Sequence, residues 1–332
     1  MPEFRKDPIV GRWVIISTER NKRDSDWISK PHFERVSGFC PFCEGNEDKT
    51  PPEIFAYRAE DSQPNEPGWR IRVVPNKFPA LQIEGNLDLR SEGIFDKMNG
   101  IGAHEVFIES PEHTLRFVEF SFEHIRDILW IFRERMVDLK RDSRLKYIII
   151  FKNEGFAAGA SLEHSHSQLI ATPIVPKIVV EELEGFRRHY NDKEQCIFCD
   201  IIRQELTSKI RVVSRSQSFV SLEPFAPRFP FETWILPLHH WSHYEDMEYN
   251  HFYELANILK ETLEIIKKGL DDPPYNFLLH SCPINESMDL DFHWHIEIIP
   301  KLTSIAGFEW GSGIYINPVR PENAAEWLRT NS

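Results

Sequence analysis

The chain has 332 residues, room for two ordinary domains or one large one. With 41% hydrophobic and 12% aromatic residues it can bury a sizeable core, which excludes a disordered chain. Lys and Arg number 39 against 52 Asp and Glu; the net charge of −13 argues against a broad nucleic-acid or anionic-membrane surface, while leaving room for a small phosphate ligand held by a few arginines.

The N-terminus, "MPEFRKDPIVGRW", lacks the apolar stretch of a signal peptide. Apolar runs such as "YIIIF" (147–151) fall far below the ~18–20 residues of a membrane span. We therefore expect a soluble, cytoplasmic protein that binds neither membrane nor nucleic acid. Four of the five cysteines form two Cys-x-x-Cys pairs, Cys40 with Cys43 and Cys196 with Cys199. Without a secretion signal, metal or redox chemistry is the expected use of such pairs. Cys282 stands alone and reads as a buried structural thiol.

Elements after the first pair recur after the second. "WRIRVVPNKFPAL" (69–81) reads as extended, followed by "HEVFIESPEH" (104–113), a helix, strand-like "YIIIFKN" (147–153) and "HSHSQ" (164–168). In the second half come "IRVVSRSQSFVSLEPFAP" (210–227), "ETWILPLHH" (232–240), a helix, "YNFLLHS" (275–281) and "HWHIE" (293–297). Ile125, Ile128, Leu129, Phe132 and Met136 keep helical spacing, as do Leu255, Ile258, Leu259 and Ile266. Each half thus reads as a run of strands with one long helix: an α+β fold of two tandem units, each an antiparallel sheet covered by that helix. We place the units at residues 1–175 and 190–332, joined by the proline-flanked, charged stretch 172–195. Duplication is the simplest origin.

A structural zinc takes four Cys or His ligands, and a Cys-x-x-Cys turn supplies two. Redox pairs usually open a helix, and neither pair is expected to do so. Overlaying "VFIESPEH" on "TWILPLHH" sets His113 against His240. The two expected zinc sites are therefore Cys40, Cys43, His113 and His164, and Cys196, Cys199, His240 and His293. His240 is preferred over His239 and His243 because of that overlay.

On a strand, His164, His166 and Gln168 lie in a row, about 6.5–7 Å per step. With His164 on metal, His166 is left rigid and free to act as general base or nucleophile. Gln168 offers an amide N–H to an anionic oxygen. Small residues in "NEGFAAGAS" (153–161) allow close approach to a phosphate. Together these features suggest phosphoryl or nucleotidyl transfer.

The order "NEGFAAGASLEHSHSQ" resembles the active-site segment of the galactose-1-phosphate uridylyltransferase family, within the histidine-triad superfamily. "CIFCDIIRQELTSKIRVV" is similar to the start of a histidine-triad domain, and "HWHIEIIPKLTSIAGFEWGSGIYINPV" to the family's C-terminal segment. The resemblance spans roughly residues 7–328 and is greatest to the branch that includes the ADP-glucose phosphorylases. It implies two histidine-triad-like domains, with His166 as the nucleophile carrying a nucleoside monophosphate and Gln168 bonding the transferred phosphoryl group. It also implies Ser161, Asn153 and Gly159 on the phosphate side and Arg20 and Arg23 as a phosphate clamp. Asn76 and Phe78 would line the nucleoside pocket; Phe308 and Glu309 would contact the sugar. Two structural zinc ions and a homodimer complete what it implies.

The expected substrates are a nucleotide sugar and hexose 1-phosphate or inorganic phosphate. UDP-glucose–hexose-1-phosphate uridylyl transfer comes first, and ADP-glucose phosphorolysis is the alternative. Departures from the best-known uridylyltransferases, namely Ser165, Ser167 and Tyr315, bear on the sugar and the base. A histidine-triad hydrolase would carry a third histidine at Gln168. A non-enzymatic zinc module would explain the cysteines alone. Glu297, where the first half has Gln168, would repel a phosphate, so catalysis is expected in the first half only.

Overall fold

The computed structural model describes residues 1–20, 38–284 and 292–331, the side chain of Arg20 excepted. In chain order its strands are β1 (Glu3–Lys6), β2 (Trp13–Ile16), β3 (Phe55–Arg58), β4 (Trp69–Pro75), β5 (Arg90–Glu92), β6 (Phe95–Lys97), β7 (Ala103–Ile108) and β8 (Tyr147–Glu154). There follow β9 (His166–Thr172), β10 (Val212–Arg215), β11 (Phe219–Leu222), β12 (Thr233–Pro237), β13 (Tyr275–His280), β14 (His295–Pro300) and β15 (Tyr315–Asn317). The α-helices are α1 (Phe122–Leu139), α2 (Lys177–Lys193), α3 (Ile197–Ser208), α4 (Tyr249–Gly269), α5 (Gly307–Ser312) and α6 (Pro321–Thr330).

Ten strands make one antiparallel sheet in the order β10-β11-β12-β14-β13-β8-β9-β7-β4-β3. The order is symmetric about the β8–β13 pair, where Leu278 faces Phe151 and Leu279 faces Ile150. Each half brings five strands, and their junction pairs two edges that would otherwise stand open. The α+β expectation of two like halves holds, and the halves share a single sheet.

Strand alternation sorts the side chains between the two faces. One face, with Val73, Phe107, Ile150, Leu169, Phe277 and Ile296, packs against α1 and α4. The helix residues read from the sequence, among them Ile128, Phe132, Leu255 and Leu259, are buried there. Over the second half, the opposite face is covered by α2 and α3 through Val179, Leu183, Phe186, Ile197 and Phe198. The stretch taken as a charged join is thus largely a helix. Most of its charges face out, while an apolar stripe at helical spacing, together with Glu182, faces in. The N-terminal hairpin also sits beside the second half: β2 pairs in parallel with β15, and Val14 and Ile16 pack on Ala226.

The helix-covered face holds a polar cluster behind β9. Lys152 Nζ donates to Glu109 Oε2 at 2.7 Å, to Ser165 Oγ at 3.0 Å and to the His166 carbonyl at 3.1 Å. The hydroxyls of Ser165 and Ser167 donate to the two oxygens of Glu109. Lys152 is 1% exposed and Glu109 0%. At the equivalent strand positions the second half is apolar. Where Lys152 faces Ser167, Leu279 faces Ile296.

Glu109 belongs to a small expansion. Phe107 faces Ser167 as Ile235 faces Ile296, yet His113 lies six residues on from Phe107 and His240 only five from Ile235. The gapless overlay of the two segments therefore matches the histidines but is one residue out in the strands.

Removing one partner of a buried pair strands the other's charge, at about 3–5 kcal/mol. Lys152→Met should lose about that much in urea unfolding, and adding Glu109→Gln should restore most of it. An unchanged midpoint in the single variant would show that the pair is not closed.

Candidate active site and metal centres

Cys40, Cys43, His113 and His164 converge, with all ligand atoms within 4.8 Å of one another, and so do Cys196, Cys199, His240 and His293. In the first group the Sγ···Nδ1 separations are 3.4, 3.6 and 3.7 Å. In the second they are 3.6, 3.7 and 3.8 Å. A tetrahedron with zinc–sulfur and zinc–nitrogen bonds of ordinary length has an S···N edge of about 3.6 Å, so both donor sets fit such an ion. Burial and the neighbouring Cys40 push the Cys43 thiol up to about 11; two thiolates coexist there only with a cation between them.

The remaining ring nitrogens are fixed alike. His164 Nε2–H donates to the Ser110 carbonyl at 2.7 Å, and His293 Nε2–H to that of Pro237 at 3.0 Å, leaving each Nδ1 for metal. His239 turns instead toward Trp241, and His243 toward Glu245. One expectation fails: Cys196 caps α3 and Cys199 lies in its first turn. The converging histidines, and not the lack of a helix, distinguish this pair from a redox dithiol.

A third group, Glu182, His280 and His295, is buried with ligand atoms equally close and could also hold an ion. It escapes sequence reading because its members come from α2, β13 and β14.

His164 lies in the bend just before β9, so the strand proper begins at His166. His166 is buried, with its Nδ1–H donating to the His164 carbonyl at 2.8 Å. That tautomer leaves the Nε2 lone pair available. Burial, and then the charge of Lys152, hold its pKa below the ordinary imidazole value. Phe42, from the Cys40–Cys43 turn, packs edge-on against its ring.

Gln168 follows on the same face. His104 Nδ1 accepts from the Ala80 N–H at 3.1 Å, so its Nε2–H donates to Gln168 Oε1 at 2.9 Å. The Gln168 amide nitrogen is thereby turned outward as a donor. His104, which the sequence reading passed over, sets that orientation. Its only sequence signal was its place at the head of "HEVFIESPEH". Asn76 sits 3.1 Å from His104 Nε2, and its Oδ1 accepts from the Phe78 N–H. Phe78 is 84% exposed and belongs to no core.

Asn153 Oδ1 accepts from Asn276 Nδ2 at 2.7 Å, which leaves its own amide nitrogen toward Gly159. At φ +91°, Gly159 holds a left-handed conformation that other residues rarely adopt. Ser161 is exposed at the end of this loop. Phe308 and Glu309 lie on α5, where Glu309 Oε2 accepts from the Ala306 N–H. None of the described hydrogen bonds, ion pairs or ring contacts joins them to His166. Arg20 ends a short 3-10 helix, and Arg23 lies outside the described residues. No helix among the described residues is long and apolar enough to cross a membrane.

Each Cys2His2 group is expected to bind one ion. Elemental analysis should find an ion lost from Cys43→Ser and another from Cys199→Ser; an unchanged metal content in either variant would remove that site.

Residues 1–176 match the profile of the galactose-1-phosphate uridyl transferase N-terminal domain, and residues 110–330 match a domain of unknown function, DUF4921. The chain is 40% identical to ADP-glucose phosphorylase of Arabidopsis thaliana, over 99% of this chain and 92% of that one. It is 30% identical to galactose-1-phosphate uridylyltransferase of Thermotoga maritima, over 99% and 98%. A crystal structure of the Arabidopsis phosphorylase with bound ADP-glucose superposes with a TM-score of 0.84 at 38% identity, covering 100% of both chains. The site described above therefore sits in a nucleotidyltransferase fold, and the chain belongs to the galactose-1-phosphate uridylyltransferase family.

Proposed function

We propose that this protein moves a nucleoside monophosphate from a nucleotide sugar to a phosphate acceptor through a covalent intermediate on His166. The observation that carries the reading is the pair of fixed orientations on β9: His166 with Nε2 unprotonated, and Gln168 with its amide donor turned outward. In the first step Nε2 attacks the α-phosphorus, an N–P bond forms, and the P–O bond to hexose 1-phosphate breaks. In the second, an oxygen of the acceptor phosphate attacks the same phosphorus and the N–P bond breaks, freeing His166. Splitting one displacement into two lowers each barrier. Gln168, the 153–161 loop with Asn153, Gly159 and Ser161, and Arg20 and Arg23 would meet the phosphate oxygens. Asn76 and Phe78 would form the nucleoside wall.

Two zinc ions in the Cys2His2 groups would be structural, since four protein ligands leave no open position. Residues 1–175 form the catalytic unit and 190–332 its partner. The working form is a cytoplasmic homodimer in which a second copy lends Phe308 and Glu309 to the sugar; the lack of contacts between those residues and His166 within one chain supports this. A purely structural zinc module would leave His166, Gln168 and His104 without a use.

For the donor, the sequence put UDP-glucose first. The greater identity to ADP-glucose phosphorylase favours ADP-glucose with inorganic phosphate as acceptor, and uridylyl transfer to hexose 1-phosphate is the second reading.

Intact-mass measurement after brief incubation with each nucleotide sugar should show an AMP-sized adduct, absent in His166→Gly. A UMP-sized adduct would select the second reading, and no adduct with either would sink the covalent mechanism. Gln168→Ala should slow adduct formation by about 10²–10³-fold, and His104→Ala by less. Because the folded His166 pKa is depressed, its neutral form persists to lower pH. Adduct formation should be lost only as pH falls below the ordinary ~6.5 of imidazole; an acid limb above that value would contradict the assignment.

A further inference from the structure

The antiparallel registers map one half onto the other residue by residue. Gln168 faces Val106, which faces Val74. In the second half Glu297 faces Trp234, which faces Leu222. Two residues beyond Val74 comes Asn76, and two beyond Leu222 comes Pro224. The nucleoside wall at 76–78 thus has its counterpart at Pro224–Ala226. A cavity of about 370 Å³ opens at that place, lined by Leu222, Phe225, Ala226 and Trp234, with Ile201 and Glu205 from α3. This lies within the ~300–1,000 Å³ range of small-molecule pockets.

The neighbouring phosphate end is closed. Gln168 is replaced by Glu297. His104, two residues before Val106, is replaced by Glu232, two before Trp234. Arg228 bonds both carboxylates. Only about 20 Å³ remains beside Arg228, His295 and Glu297. Two carboxylates against one guanidinium leave a net negative charge, which repels a phosphate.

We propose that this cavity is a second nucleoside site, one that takes an uncharged nucleoside and performs no phosphoryl transfer. The base packs on Trp234 and Ile201. The proposal rests on the reading of Asn76 and Phe78 as a nucleoside wall. Its ligand differs from the substrate in lacking phosphate, because the second half sets Glu232 and Glu297 where the first has His104 and Gln168.

Adenosine and uridine are to be titrated calorimetrically into metal-loaded, full-length protein, with and without saturating ADP-glucose or UDP-glucose. With the first site filled by nucleotide sugar, one nucleoside should still bind per chain. Ile201→Trp, which fills the cavity, should weaken that binding at least ~tenfold. Gln204→Trp at the exposed rim should act in the same direction and serves if Ile201→Trp does not fold. The proposal is overturned if neither nucleoside binds once nucleotide sugar saturates, or if a folded variant binds as the wild type does. Failure of the His166 reading is seen separately, as the absence of any mass adduct, and leaves this binding measurable.

Discussion

A carboxylate enclosed by hydrocarbon must be met by a cation and by donors, and the neutralisation of Glu109 by Lys152 organises the strand on which the site is built. The pair grips Ser165, Ser167 and the His166 carbonyl from the helix side of the sheet. With its backbone fixed from behind, β9 presents His166 and Gln168 to the other face in one register. The serines of "HSHSQ" are thus part of the mounting. Buried ion pairs seldom stabilise a fold relative to apolar packing. The second half makes the same point: Leu279 and Ile296 fill the places of Lys152 and Ser167, and the sheet there is equally continuous.

The two halves share one strand order and differ in side chains. Both halves keep the Cys2His2 group, the Nε2–H bond from its last histidine to a backbone carbonyl, and the bond from the next histidine's Nδ1–H to the histidine before it. They part at the position after that. The first half sets a glutamine there, oriented by His104, and leaves it half-buried. The second sets a glutamate, ties it to Arg228, and covers it with α2, α3 and the N-terminal segment. Burial holds His295 down to about 4, so the histidine equivalent to His166 is neutral but shut away.

The two environments show why identical side chains need not do identical work. An imidazole with a free Nε2 is useful only where a phosphate can reach it, and a phosphate reaches only a site that lacks uncompensated carboxylates. In the transfer proposed above, the 153–161 loop meets the first condition with Gly159 in a left-handed turn beside Asn153. Arg228 with Glu232 and Glu297 enforces the second by exclusion.

Local chemistry was legible in the sequence. Cys-x-x-Cys pairs, alternating histidines and helical spacing depend on residues close in the chain, so the eight residues of the two Cys2His2 groups, the two long helices, the strand pattern and the family resemblance could be read directly. What depended on residues far apart could not. Glu109 and Lys152 lie 43 positions apart, His104 and Gln168 64 apart, and each is an ordinary polar residue until the sheet register brings it to its partner. Helix α2 looked like a charged linker because its apolar stripe has meaning only against the second half's sheet. Which residues carry chemistry was written in their types and spacing; how each is oriented, neutralised or shut away was decided by cross-strand pairing, because hydrogen bonds and burial act through space.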